Sequence, residues 1–209
     1  TNSVVSLLKN FFKSSFVVAF GTFLSRISGL ARELLLAWFF GASSAADSIN
    51  VAFKLPNLFR RIFAEGALGL VFIPIFSAIQ DDKEKAMFAS QTLLWLSTIL
   101  FILTCLLQYF MPDVILLIAP GFKSSFSQFT STIFLCRITI CYLILISICA
   151  LIGGILNSYN QFSTFALNQV VLNISIISFT LVCNYLNLYS SEVVFALSLL
   201  FGGFMQIVF

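Results

Sequence analysis

From Ile138 to Phe209 the chain reads ITICYLILISICALIGGILNSYNQFSTFALNQVVLNISIISFTLVCNYLNLYSSEVVFALSLLFGGFMQIVF, and Glu192 is the only charged residue in those 72 positions. A helix needs about 20 apolar residues to cross the hydrocarbon core of a bilayer. This stretch holds such runs, separated by polar turns at Asn157-Ser-Tyr-Asn-Gln161 and between Asn184 and Glu192. The runs show no period-2 alternation, which favours helices over a barrel, since only those two structures satisfy every backbone group in lipid.

Working outward, the rest of the chain has the same character. Of 209 residues, 60% are hydrophobic and 9% are charged, against about 25% charged in a soluble domain. The mean hydropathy is +1.06. Six apolar segments can be drawn, at 14–40, 45–79, 86–109, 126–156, 163–186 and 191–209. The expected fold is all-α, a polytopic transmembrane bundle of about six spans. Asp81-Asp-Lys-Glu-Lys85 reads as a solvated loop, and Met111-Pro-Asp113 with Ala119-Pro-Gly-Phe122 reads as a further loop.

Several function classes drop out. The chain has no histidine, which removes Ser-His-Asp triads, Cys-His dyads and histidine metal sites. The five cysteines, Cys105, Cys136, Cys141, Cys149 and Cys183, sit in apolar runs without CxxC spacing and read as small buried hydrophobes. A net charge of +3 without a basic stripe leaves no nucleic-acid footprint. Asp81-Asp82 is an isolated acidic pair, too little for a metal site or a membrane phosphatase. No metal and no cofactor is expected. Lys9 and Lys13 before an apolar run resemble a signal peptide, but Arg26 interrupts the run.

Loop lysines orient the bundle. With the N-terminus inside, the inner segments hold Lys9, Lys13, Lys83 and Lys85, and the outer ones hold Lys123. Positive residues concentrate on the cytoplasmic side, so the N-terminus is expected there. The chain begins at Thr1 and stops at Phe209 within an apolar run, so a piece of a longer protein is expected.

The charge sits elsewhere. Arg26, Arg32, Glu33, Asp47, Lys54, Arg60, Arg61 and Glu65 fall within 40 residues of otherwise apolar sequence. A central charge on a lone membrane helix costs about 2.5–3.5 kcal/mol, so such residues face a bundle interior or a watery cavity. At 100° per residue, Asp47, Lys54, Arg61 and Glu65 form one stripe about 27 Å long, with Arg60 on another face unless Pro56 turns the register. Arg26 and Glu33 share a face of the first helix, and Arg32 is offset from it. Five bases against three acids suit an anionic ligand, because arginine forks grip phosphate oxygens. A competing reading is a self-neutralised network, Arg26–Glu33 and Arg61–Glu65. Arg137 either reaches the interface by snorkelling or joins the cavity.

Pro56 cannot donate to Ala52, which frees a carbonyl and bends the helix. Broken helices carry sites and hinges in transporters, although proline also occurs harmlessly in membrane helices. Gly21, Ser25 and Gly29 recur at four-residue spacing, a face for close packing.

Phe23-Leu-Ser-Arg-Ile-Ser-Gly-Leu-Ala-Arg-Glu33 and Ala46-Asp-Ser-Ile-Asn-Val-Ala-Phe-Lys-Leu-Pro-Asn-Leu-Phe-Arg-Arg-Ile-Phe-Ala-Glu-Gly-Ala67 resemble the MurJ (MviN) family. Phe72-Ile-Pro74, Ala119-Pro-Gly-Phe122 and Gly154-Ile-Leu-Asn157 extend the likeness. The resemblance implies a flippase of the multidrug/oligosaccharidyl-lipid/polysaccharide exporter superfamily, with two six-helix lobes and alternating access around a cationic cavity. Residues 1–209 would form the N-terminal lobe, and a C-terminal lobe would be missing. The implied substrate is lipid II, the undecaprenyl-diphosphate-linked disaccharide peptide, moved across the bacterial inner membrane for cell-wall synthesis without enzymatic chemistry.

By motif position, Arg26, Arg32, Arg60 and Arg61 would bind substrate. Glu33, Asp47, Lys54 and Glu65 would form a gate or charge network, and Pro56 and Gly66 would be hinges. Asn160-Gln-Phe-Ser-Thr-Phe165 lacks the arginine and proline of the family pattern, which removes a cationic contact there. Alternatives are another exporter of the superfamily, for drugs or polysaccharide-lipids, a membrane enzyme, or a nonfunctional fragment of a split flippase.

Overall fold

The computed structural model describes residues 2–62, 70–159 and 162–209, with side chains described from residue 19 and, after the last break, from residue 167. Among these residues every regular element is helical. The elements group into six passes: α1 (Asn2–Phe40), α2 (Ser44–Arg60) with α3 (Ile73–Ala78), α4 (Asp82–Tyr109), α6 (Phe126–Thr139) with α7 (Tyr142–Ser158), α8 (Phe162–Tyr185) and α9 (Ser191–Val208). The short α5 (Met111–Ile118) and a 3₁₀ turn (Pro120–Ser124) connect α4 to α6. Among the described residues four stretches, 82–109, 126–158, 167–185 and 191–208, are long and apolar enough to cross a membrane by length and composition.

Several boundaries differ from the sequence expectation, each for a local reason. The run Asp81–Lys85 is the start of α4 rather than a loop. Asp81 caps it by accepting from the Lys83 N–H at 3.4 Å, and Asp82 and Glu84 occupy its first turn. Acids there complement the positive end of the helix. The 111–122 segment is not a plain loop either. Pro112 and Pro120 each sit where a helix begins, a position at which the missing N–H costs nothing.

The described residues of the 45–79 segment hold α2 and α3, with the backbone widened into π turns at 61–62 and 70–72. The 126–156 segment breaks at 140–141, where Cys141 N–H bonds Ile138 O and Leu143 N–H bonds Ile140 O. Cys105 and Cys141 lie on the bundle surface, whereas Cys136, Cys149 and Cys183 are buried.

In lipid, helices gain no hydrophobic advantage from meeting one another, so close packing and interhelical hydrogen bonds carry the assembly. The main core gathers Ile49 and Phe53 of α2, Met111 and Ile115 of α5, Leu135 of α6, Tyr142 of α7, Ile176 of α8 and Phe195 of α9. Phe195 is its hub, with Phe53 at 5.6 Å and Phe40 at 6.0 Å between ring centroids. A second, smaller core joins Phe72, Phe76 and Leu151, with Phe88 stacked on Phe72 at 5.5 Å.

Polar seams fix the helix registers. Along α2 and α6, Gln128 Nε2 donates to Ser44 O, Thr132 Oγ1 to Ser48 Oγ and Thr139 Oγ1 to Ala52 O, so these two helices run parallel. Tyr142 Oη donates to Gln206 Oε1 at 3.0 Å, and Gln206 Nε2 donates to Asn168 O at 3.1 Å, tying α7, α9 and α8 together. On α1, a Cβ added at Gly29 would meet Asn173 Nδ2 of α8 at 3.6 Å, an ordinary contact that places this small residue against a neighbouring helix.

Candidate functional site

The charged stripe of α2 faces away from the bundle. Asp47, Lys54 and Arg61 are exposed, together with Asn50, Asn57 and Leu58, while Ile49, Ala52, Phe53, Leu55 and Pro56 are buried. This is the split that a 3.6-residue period predicts. Ser43 opens the helix by accepting from the Ala46 N–H at 3.3 Å, and Asp47 stands in its first turn.

Against this face lies a hollow of about 600 Å³, lined by Arg32 of α1, by Lys54, Leu55, Asn57, Leu58, Arg60 and Arg61 from the second pass, by Ile118 of α5 and by Gln169 of α8. Among the described lining residues four are cations and none is an acid. The volume is within the 300–1,000 Å³ of typical ligand pockets. Arg60 shares the hollow with Arg61 although a simple helical wheel sets the two apart. The π turn at 61–62 changes the angular step there, and the long arginine stem extends the reach.

Arg32 is held by several contacts. Its Nη2 donates to Glu33 Oε1 at 2.6 Å and its Nη1 donates to Asn173 Oδ1 at 3.3 Å. Its guanidinium lies over the Phe53 ring, 5.9 Å from the centroid, within cation–π range. Asn173 is itself fixed, donating to Ser28 Oγ at 3.1 Å and Ser25 O at 3.3 Å. A buried amide on α8 thus holds an arginine of α1 over an aromatic ring of α2.

Not every expected residue joins this group. Arg26 is exposed and stands apart from the hollow, two turns before Arg32. The expected Arg26–Glu33 pair is replaced by Arg32–Glu33, because the adjacent guanidinium can fold onto the carboxylate. Asp47 lies on the stripe but not at the hollow's wall, two turns before Lys54. Arg137 is exposed on α6 and does not line the hollow. Glu65, Gly66 and the Asn160–Phe165 side chains lie outside the described residues, and with them the Arg61–Glu65 pair.

Sequence reasoning missed Asn173, Gln169, Asn57 and Phe53. A signal existed for the first two: they are amides four residues apart, hence on one face of an otherwise apolar helix.

The fold and the site define a class, that of polytopic α-helical membrane proteins with a cation-lined hollow on the open face of a helix bundle. A family model described as "Lipid II flippase MurJ" matches residues 36–209. The chain is 48% identical over 200 residues to "Probable lipid II flippase MurJ" of Rickettsia prowazekii (strain Madrid E), covering 95% of this chain and 39% of that protein. It is 36% identical over 175 residues to "Lipid II flippase MurJ" of Burkholderia cenocepacia, covering 81% of this chain and 33% of that one. A solved structure titled "Lipid II flippase MurJ, inward closed conformation" superposes with a TM-score of 0.75 at 30% identity, over 92% of this chain and 41% of the other. The chain belongs to the MurJ family. It spans about a third to two fifths of the length of these relatives. Arg26, Arg32 and Glu33 precede the stretch matched by the family model.

Proposed function

We propose that this chain supplies the cationic wall of a lipid II flippase, which carries an undecaprenyl-diphosphate-linked disaccharide peptide from the inner to the outer leaflet. The observation that carries this reading is the hollow itself, with Arg32, Lys54, Arg60 and Arg61 around one space and no acid among the described residues of its wall. A diphosphate offers the matching charge, and guanidinium forks bind its oxygens bidentately. Asp47 and Glu33 would act as gate or network partners, with Glu65 in the same role, and Pro56 and Gly66 as bending points. Arg26, exposed beyond the hollow, would meet substrate in another state of the cycle.

The movement would be alternating access, one lobe rocking against a second around a site near the midplane. A second lobe would complete the cavity. The polyprenyl tail would stay in lipid. No bond is made or broken, so the activity is transport rather than enzymatic chemistry. The membrane would be the bacterial inner membrane with the N-terminus cytoplasmic, in keeping with Lys83 and Lys85 at the inner end of α4.

A lipid II translocation assay on the full-length protein in vesicles tests the reading. A charge-assisted hydrogen bond is worth about 1.5–3 kcal/mol, so losing two should slow flipping roughly 100-fold or more. The double change Arg60→Ala and Arg61→Ala is expected to do this. Undiminished flipping would refute the assigned roles.

A further inference from the structure

Pro56 lacks an N–H, so the carbonyl of Ala52, one turn earlier, loses the partner it would have in an uninterrupted helix. In lipid no water replaces it, and a bare carbonyl at that depth is costly. The structure supplies a substitute from another helix. Thr139 Oγ1 donates to Ala52 O at 2.8 Å, and its contact with the Cys136 carbonyl in its own helix is longer, 3.3 Å. Thr139 has no exposed surface, and Ala52 has 1%.

The position of this bond matters. It is the third tie between α2 and α6, after those of Ser44 and Ser48, and all three lie before Pro56. Lys54, Arg60 and Arg61 project from the stretch that begins at this tie. Thr139 is also the last residue of α6, where the fourth pass breaks. The carbonyl freed by Pro56 and the break of the fourth pass therefore share this hydrogen bond.

We propose that Thr139 is a positioning residue for the cation hollow: its hydroxyl stands in for the N–H that Pro56 lacks, and so sets the bend that aims Lys54, Arg60 and Arg61. The proposal rests on reading the hollow as a diphosphate-lipid site. Thr139 touches no substrate and acts through α2.

The test uses the full-length protein in lipid nanodiscs and undecaprenyl diphosphate as the probe. Thr139→Val keeps shape and loses the donor, whereas Thr139→Ser keeps the donor. Thr139→Val is expected to bind the probe roughly 10-fold more weakly, and Thr139→Ser within about twofold of the parent. Thr139→Val, which leaves the Ala52 carbonyl bare, should also lower the thermal midpoint, and Thr139→Ser should keep it near the parent's.

Hydrogen exchange over residues 52–62 needs no ligand and separates this idea from the substrate reading. Thr139→Val should speed exchange there when Pro56 is present. It should not do so in a Pro56→Ala background, where residue 56 supplies its own N–H to Ala52. If the parent fails to bind undecaprenyl diphosphate, the substrate reading falls while exchange still decides whether Thr139 holds the bend. Parent-like binding by Thr139→Val, or equal acceleration in both backgrounds, would overturn the proposal.

Discussion

Asn173 shows how much one uncharged side chain can organise. It accepts from Arg32 and donates to Ser25 and Ser28, so it holds α1 to α8 and aims a guanidinium at once. Interhelical hydrogen bonds in membranes are worth about 0.6 kcal/mol on average and up to about 1.7. Asn173→Leu removes three of them and should lower the affinity for a diphosphate lipid by about 10-fold or more, measured by titration in nanodiscs. An unchanged affinity would show that Arg32 needs no holder. The cations were legible in the sequence because each is a costly charge among apolar neighbours. Asn173 was not, because an amide in a membrane helix carries a smaller penalty and stands out only once its partners are known.

At the scale of elements, the all-helical bundle was legible from apolar length, with four membrane-length stretches among the described residues, and the internal breaks only in part. Pro56 lies inside α2, which continues past it to Arg60. The break at 140–141 has no proline or glycine to announce it, and it coincides with Thr139, whose hydroxyl bonds outward to α2. The acidic and basic residues at 82–85 looked like a loop because charge runs usually are, yet their order, acid first, suits a helix N-terminus.

Small residues are the other element-level device. A Cβ at Gly203 would lie 2.6 Å from the Tyr142 ring, whereas one at Gly29 would be 3.6 Å from its nearest neighbour. Gly203→Ala should therefore push α9 off α7 and lower the thermal midpoint in detergent, at a cost of about 1–3 kcal/mol. Gly29→Ala should be tolerated. Equal midpoints for the two variants would contradict the packing described for α7 and α9.

For the whole molecule, the claim is that one face of a membrane bundle gathers cations around a space fit for a diphosphate. The bundle's direction proposed from its lysines is testable: in intact cells a membrane-impermeant thiol reagent should label Lys123→Cys, and should label Lys83→Cys only after permeabilisation. Labelling in the reverse order would invert the topology and the direction of transport with it. The most direct measurement of the central claim is lipid II affinity in the full-length protein, with Arg60→Gln and Arg61→Gln together compared against Arg137→Gln. Arg137 is an exposed arginine of α6 outside the hollow. Affinity should fall at least about 10-fold for the double variant and stay at the parent's value for Arg137→Gln. Equal affinity in all three proteins, or a loss as large from Arg137→Gln, would contradict the account.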